Sequence, residues 1–441
     1  MKRIHEAINI LSRKNISLNP SKSTSLMLII GIIVIGANLR APITEVGPLV
    51  NLICGSLHIS NTLGGMITTL PLLAFAGFSL LTPILGRKFG TKLVLFWSLI
   101  FLTFGIILRS SFDVFGLFIG TAIIGLSISV GNVLIPSLIK HEIPERVGMM
   151  TGAYTLSMNL FGAMASGISI PVAAVLGWPG SLRIWAVLSL LSIILWIPQI
   201  IHKKQEMSVV EEPVDCNIET KLKESMKKKN EIKLVEEEVI KKVNLLKSPL
   251  AWHVTVYMGL QSMVFYCMVA WLPTILVNYG MNLGTAGWML SIYQLAGIPM
   301  TFVGSVLAGR NKANQRPLVI VASLCVLVGL LGLLSGRTGL SLLWVIILGI
   351  GCVLTFCLSM IFFSFRTKNA NEAARLSGMA QSIGYLLAAF GPTLLGFLHD
   401  MTNNWVLPLI ILIGVAVLCL FAGLSASRDL TVGSNTHNRD I

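Results

Sequence analysis

Charge is scarce in this chain. Only 12% of its 441 residues are charged, against 54% hydrophobic, and the mean hydropathy is +0.81. Ordinary soluble domains carry about 25% charged residues, so a water-soluble globular class is excluded and an integral membrane protein is implied. Nucleotide motifs are missing too. There is no GxxxxGK[ST], which argues against ATP-driven transport by this chain. No GxSxG or HExxH occurs, and the seven histidines are dispersed. No catalytic cluster is visible, so the chain is read as a non-enzyme with no cofactor and no metal. No two cysteines have CxxC spacing. Cys54, Cys216, Cys267, Cys325, Cys352, Cys357 and Cys419 are scattered, mostly through apolar runs, and read as small buried hydrophobes. A cleavable signal peptide is also missing. The start MKRIHEAINILSRKNISLNPSKS is polar and basic, and the apolar run behind it has no small-residue cleavage site.

What the chain does have is long apolar runs. A bilayer core about 30 Å thick needs roughly 20 apolar residues per helix. Such stretches fall near 25–49, 61–85, 93–111, 114–139, 148–176, 182–201, 250–277, 284–308, 317–335, 340–365, 374–398 and 405–424. The expected fold is therefore all-α, with twelve transmembrane helices. With the N-terminus inside, the short inner segments and tails hold eighteen Lys and Arg, and the outer loops hold three, Arg109, Arg183 and Arg337. The positive-inside rule then puts both termini in the cytoplasm of a cell that carries the protein in its plasma membrane. The net charge of +14 is this bias and not a nucleic-acid surface; the expected surroundings are membrane lipid.

One long polar stretch, 202–248, holds eleven lysines and ten acids and falls after the sixth span. It reads as a solvated cytoplasmic linker. The expected organisation is a tail at 1–24, a six-helix bundle at 25–201, the linker, a second six-helix bundle at 249–424 and a tail at 425–441. A weak internal repeat supports the division. TGAYTLSMN at 151–159 lies over SGMAQSIGY at 377–385, Gly125 and Lys140 lie over Gly351 and Arg366, and Gly64 and Arg87 lie over Gly287 and Arg310, at offsets of about 226. Parallel repeats of this kind place a substrate site at the midplane between the halves.

Once loops, tails and linker are set aside, Arg40 and Glu45 remain as the charges within spans, both in GANLRAPITEVGPLV at 36–50. From Leu26 to Arg40 is about 21 Å of helix, past the middle of the membrane. Burying arginine there costs at least about 2.5–3.5 kcal/mol, so such a residue normally faces a polar interior. Pro42 has no N–H and frees the carbonyl of Asn38; Pro136 does the same to Asn132. Two Asn-x-x-x-Pro steps and one arginine suggest a wet cavity in the first half, with Arg40 either binding an anion or tying helix carbonyls. Glu45 has two open readings: a wetted carboxylate at the rim, or a proton-coupling or ion-paired group. Tyr154, Asn159, Gln261 and Gln381 join Asn38 and Asn132 as candidate polar lining. Tyr266, Tyr293, Gln294 and Tyr385 are further polar residues in spans, and each alone is more often a helix–helix hydrogen bond than a ligand contact.

NLRAPITEVGPL at 38–49, LGGMITTLPLLAFAGFSLLTPILGRKFG at 63–90, GNVLIPSLIKHEIPERVGMMTGAYTLSMN at 131–159 and MGLQSMVFYCMVAWLPTIL at 258–276 resemble the cyanate/2-nitroimidazole permease family of the major facilitator superfamily. The resemblance implies two six-helix bundles, transport by alternating access without ATP, and a small substrate such as cyanate or a nitroimidazole. The superfamily's loop between spans 2 and 3 usually reads GxxxDRxG. Here PILGRKFG carries Arg87 at the aspartate's place, and Arg87 and Arg310 are expected as matched gate residues.

The sequence thus reads as a monomeric secondary transporter for a small anion or small polar solute, with the proton as candidate coupling ion. A drug or metabolite efflux pump is the nearest alternative, and a membrane sensor signalling through 202–248 a more distant one. Epitope tags at either terminus, or inserted within 202–248, should be reachable only from the cytoplasmic side. A linker tag digested by external protease in intact cells would reverse the orientation.

Overall fold

The computed structural model describes residues 22–111, 113–143, 146–208, 245–310, 314–368 and 370–432. Most of the expected linker and tails lie outside the described residues. Within them the chain is helical, with no strand. The helices are α1 (Lys22–Asn38), α2 (Ala41–Thr44), α3 (Val46–Leu57), α4 (Asn61–Phe78), α5 (Thr82–Phe89), α6 (Thr91–Arg109), α7 (Val114–Glu142) and α8 (Val147–Arg183). They continue with α9 (Trp185–Ser208), α10 (Pro249–Asn278), α11 (Leu283–Ala296), α12 (Ile298–Arg310), α13 (Arg316–Leu334), α14 (Ser341–Phe365), α15 (Ala370–Thr402) and α16 (Val406–Ala426). Side chains cap several starts: Ser60 accepts from the Leu63 amide, Asp113 from Gly116, Ser248 from Ala251 and Asn282 from Thr285. Each supplies an acceptor to amides that the first helical turn leaves unpaired.

Eleven apolar helical stretches are long enough to cross a membrane, but one of them, Met149–Ile201, has 53 residues. That is about 80 Å of helix, far more than one crossing needs. Gly177 breaks it with φ 70° and ψ 168°, a conformation open to glycine and strained for other residues. The stretch is two spans, and the count is twelve. The first span is in three pieces, α1 to α3. Spans 2 and 8 are each in two, α4 with α5 and α11 with α12. The second Asn-x-x-x-Pro step leaves no such break, because Pro136 sits inside the continuous α7.

Packing makes the repeat visible. In the first bundle, span 1 lies against spans 5 and 6, span 4 against spans 2 and 3, and span 3 against span 6. In the second, span 7 lies against spans 11 and 12, span 10 against spans 8 and 9, and span 9 against span 12. The neighbours are the same after a shift of six. Two six-helix bundles then meet along spans 2 and 11, 5 and 8, and 1 and 7.

Hydrogen bonds across this seam are concentrated toward one end. There the Asp400 carboxylate, on α15, accepts from the Asn61 amide (3.1 Å) and Asn61 Nδ2 (2.8 Å), and from the Thr62 amide and Thr62 Oγ1 (2.7 Å each). It thereby caps the first turn of α4 from the opposite bundle, where the helix dipole also favours a carboxylate. Further in, Thr69 Oγ1 donates to the Ala389 carbonyl (2.7 Å) and Ser291 Oγ to that of Ala163 (2.7 Å). Ser382 Oγ donates to the Ala76 carbonyl (2.7 Å). Nearer the end that carries Arg87 and Arg310, no hydrogen bond joins the bundles among the described residues. The seam is latched at the Asp400 end.

Asp400→Ala removes four acceptor contacts, of a type worth about 1.5–3 kcal/mol each when charged. A Thr69→Cys reporter in the seam should then react about tenfold faster with a hydrophilic thiol reagent than in the Asp400 background. Equal rates would mean that the latch does not hold the seam closed.

Candidate functional site

The site begins at the break in the first span. Pro42 and Pro48 withhold the amides that would have served the carbonyls of Asn38 and Thr44. The helix stops at Asn38, turns through Leu39 and Arg40, and restarts as the four-residue α2. Arg40 is the residue before α2, with φ −125° and ψ −40°. Its carbonyl accepts from the amides of Ile43 (3.0 Å) and Thr44 (3.1 Å). Gly162 of span 5 lies beside its side chain: a Cβ there would stand 2.7 Å from Arg40 Cγ and 3.0 Å from Gln294 Oε1. Only a residue without a side chain lets Arg40 pass.

The Arg40 guanidinium has no hydrogen-bond or ion-pair partner among the described residues. Its carbon lies 4.3 Å from the centre of the Phe265 ring, on the second bundle. That is a cation–π contact, worth about 0.5–2 kcal/mol depending on solvation. Phe265 stacks on Tyr293 at 5.8 Å and meets Tyr266 edge-on at 5.2 Å. Tyr266 meets Tyr385 at 6.4 Å, and Tyr385 meets Phe75 of span 2 at 5.5 Å. The result is one fixed positive charge and a row of aromatic faces and hydroxyls, set between the bundles. A fork of donors beside ring faces suits a flat, electron-rich or negatively charged solute.

The structure divides the sequence candidates. Tyr154 is buried against Gly36, four residues before Arg40. Asn38 is fully buried and turned into helix packing, its Nδ2 donating to Ser192 Oγ (2.7 Å) and the Val34 carbonyl (3.0 Å). Gln261 donates to Ser262 Oγ (2.7 Å) and the Met258 carbonyl (3.1 Å), and borders a void of about 10 Å³ inside the second bundle with Ser323 and Thr355. Gln381 donates to Ser377 Oγ (2.8 Å) one turn back. Asn132 and Asn159 are half-buried, with no hydrogen-bond partner among the described residues. Arg87 and Arg310 are exposed in the last turns of α5 and α12. Phe265 and Phe75 escape the sequence reading, and Tyr266, Tyr293 and Tyr385 enter it as polar residues weighted toward helix–helix hydrogen bonds over ligand contacts. The Phe-Tyr doublet at 265–266, inside a span and opposite an arginine-bearing one, was the available signal.

Of the two readings of Glu45 the ion-paired one holds and the rim one falls, and the charge count needs a correction. Glu45 is 0% exposed, not a wetted rim group, and Arg109 is 1% exposed, not a loop residue. Arg109, in the last turn of α6, donates through Nη2 to the Glu45 carboxylate and through Nη1 to the Pro42 carbonyl (2.6 Å). The ion pair lets both charges leave water, which neither does alone without heavy cost.

A twelve-helix, two-bundle membrane protein with a charged site at the seam belongs to the class of secondary transporters. Residues 26–392 match the Major Facilitator Superfamily, and the chain belongs to it. It is 42% identical over 422 residues to the uncharacterized transporter YycB of Bacillus subtilis (strain 168), covering 95% of this chain and 98% of that protein. It is 36% identical over 418 residues to the 2-nitroimidazole transporter of Escherichia coli (strain K12), covering 94% and 98%. The crystal structure of a D-xylose-proton symporter superposes with a TM-score of 0.72 at 13% identity, over 92% of this chain and 98% of that one, a likeness of fold alone. The chain is a secondary transporter for small solutes and not an enzyme, in agreement with the permease resemblance of its motifs.

Proposed function

We propose that the transported solute is a small planar anion or a nitro-heterocycle of the 2-nitroimidazole kind, and that it binds between Arg40 and the rings of Phe265 and Tyr266. The observation that carries this reading is a guanidinium inside the membrane with an aromatic face beneath it and no carboxylate beside it. A nitro group or carboxylate offers two oxygens to the guanidinium fork, and a flat ring offers a face to Phe265. A cationic drug would want a carboxylate where Arg40 stands. The relative named for 2-nitroimidazole supports the same solute class. The site is complete within one chain, which supports a monomer as the working unit. With the proton as proposed coupling ion, transport proceeds by rocking of the bundles about the site. The orientation follows the basic bias, with the Arg87 end and both termini in the cytoplasm and the protein in the plasma membrane.

Arg40→Ala should remain folded and weaken binding of 2-nitroimidazole roughly ten- to a hundredfold, the range of a lost charge-assisted hydrogen bond. Arg40→Lys should fall between, since a compact ammonium cannot reproduce the fork. Melting temperature and affinity are to be measured on one preparation. Undiminished affinity in folded Arg40→Ala protein would refute the site.

Arg87 and Arg310 we propose as matched gate residues, because both close a short helix at corresponding points of the two bundles. Charge reversal at either position should lower the transport rate severalfold while equilibrium binding changes less than twofold. Full flux in both variants would remove them from the gate.

A further inference from the structure

The first span could not hold Arg40 by itself. α2 has four residues, too few to keep a direction in the absence of outside contacts. Prolines loosen it at both ends, Pro42 at its start and Pro48 beyond Glu45. The Arg40 side chain makes no hydrogen bond or ion pair among the described residues, so its direction rests on this short piece of backbone and on its one ring contact, with Phe265.

We propose that Glu45 and Arg109 are positioning residues that set this break and thereby hold Arg40 toward the solute. The inference rests on Arg40 being the solute's partner. Arg109 grips the short piece at two points three residues apart, the Pro42 carbonyl and the Glu45 carboxylate. Its own backbone is fixed in turn. Span 4 approaches so closely that a Cβ at Gly120 would lie 2.7 Å from Arg109 Cα. The next residue's carbonyl, Ser110, accepts from Arg183 Nη2 at 3.1 Å. On the opposite side, Thr44 Oγ1 donates to the Gly162 carbonyl at 2.7 Å, and Gly162 is the residue that leaves room for Arg40. The segment is thus clamped from span 3 and from span 5, with Arg40 emerging between the clamps. A pair serving only to join two spans would have no need to reach the Pro42 carbonyl as well.

The test uses Glu45→Asp, which keeps the charge and draws the carboxylate back by one carbon–carbon bond, about 1.5 Å. Phenylglyoxal, an arginine-selective dicarbonyl, reports on Arg40 without any assumption about the solute. Modification is read site by site by mass spectrometry, with the exposed Arg87 and Arg310 as internal controls. The expected result is a melting temperature within a few degrees of wild type and an Arg40 rate changed at least threefold against steady controls. In proteoliposomes, KM for 2-nitroimidazole should rise about tenfold, with kcat and the response to a proton gradient retained. A wild-type Arg40 rate in folded Glu45→Asp protein overturns the proposal. So does loss of the proton response with Arg40 unmoved, which would make Glu45 a coupling group. If Glu45→Asp does not fold, Glu45→Met with Arg109→Met replaces the pair by apolar chains of similar length and is judged by the same two readings. An Arg40 rate that shifts here, beside an Arg40→Ala protein that binds normally, would keep the positioning role and discard the solute reading.

Discussion

The ion pair between Glu45 and Arg109 is the constraint on which the site depends. A helix broken by two prolines in the membrane has carbonyls with no helical partner, and lipid offers none. Arg109 supplies donors to the Pro42 carbonyl within this broken stretch and to the Glu45 carboxylate. Two charges removed from water are costly, and breaking such a pair from one side costs about 3–5 kcal/mol. The pair is therefore poorly explained as a device for stability alone, since apolar side chains would serve as well. It makes better sense as a fixed point from which an irregular backbone is held, with Arg40 carried on that backbone.

The same economy governs the seam. Within each bundle the contacts are apolar and extensive, and the two bundles repeat one another helix for helix. Between the bundles the hydrogen bonds among the described residues gather at the Asp400 end and at mid-depth, and thin out toward the Arg87 end. Rigid bundles with a seam bonded mainly on one side of the membrane can rock without repacking their cores, as alternating access requires. The Asp400 cap adds directionality to this picture. It satisfies the first amides of α4 only while the seam is shut, so opening exchanges those bonds for water.

Much of the fold was legible in the sequence, because hydropathy, proline and basic residues act locally. The twelve runs, the six-plus-six division and the break at Pro42 follow from residues read in order. Gly177, by contrast, lies just past the end of one apolar run, and only its positive φ shows that the chain turns there. The site was less legible. Asn38 and Gln261 are polar and within spans, yet Asn38 faces Ser192 and Gln261 faces a small void inside its own bundle, and sequence does not give a helix its rotation. Arg109 ends an apolar run, where a basic residue normally meets headgroups; the partner that buries it lies 64 residues earlier. Phe265 is one apolar residue among many until the opposite bundle sets Arg40 over it.

That last juxtaposition explains how a solute could matter to the motion as well as to binding. Arg40 is carried by the first bundle, and Phe265, Tyr266, Tyr293 and Tyr385 by the second. The guanidinium leans across the seam onto Phe265, a contact of modest strength. An anionic or nitro group would satisfy the guanidinium far better, and the solute's ring would take the face that Arg40 now covers. On the proposed reading, the solute would replace a weak bridge between the bundles with a stronger one made through itself. A ligand shifts a conformational equilibrium only by its differential affinity for the two states. At the proposed site that difference would follow from the geometry, because the charge partner and the ring faces come from opposite sides of the seam and would be within one small molecule's reach only when the bundles are close.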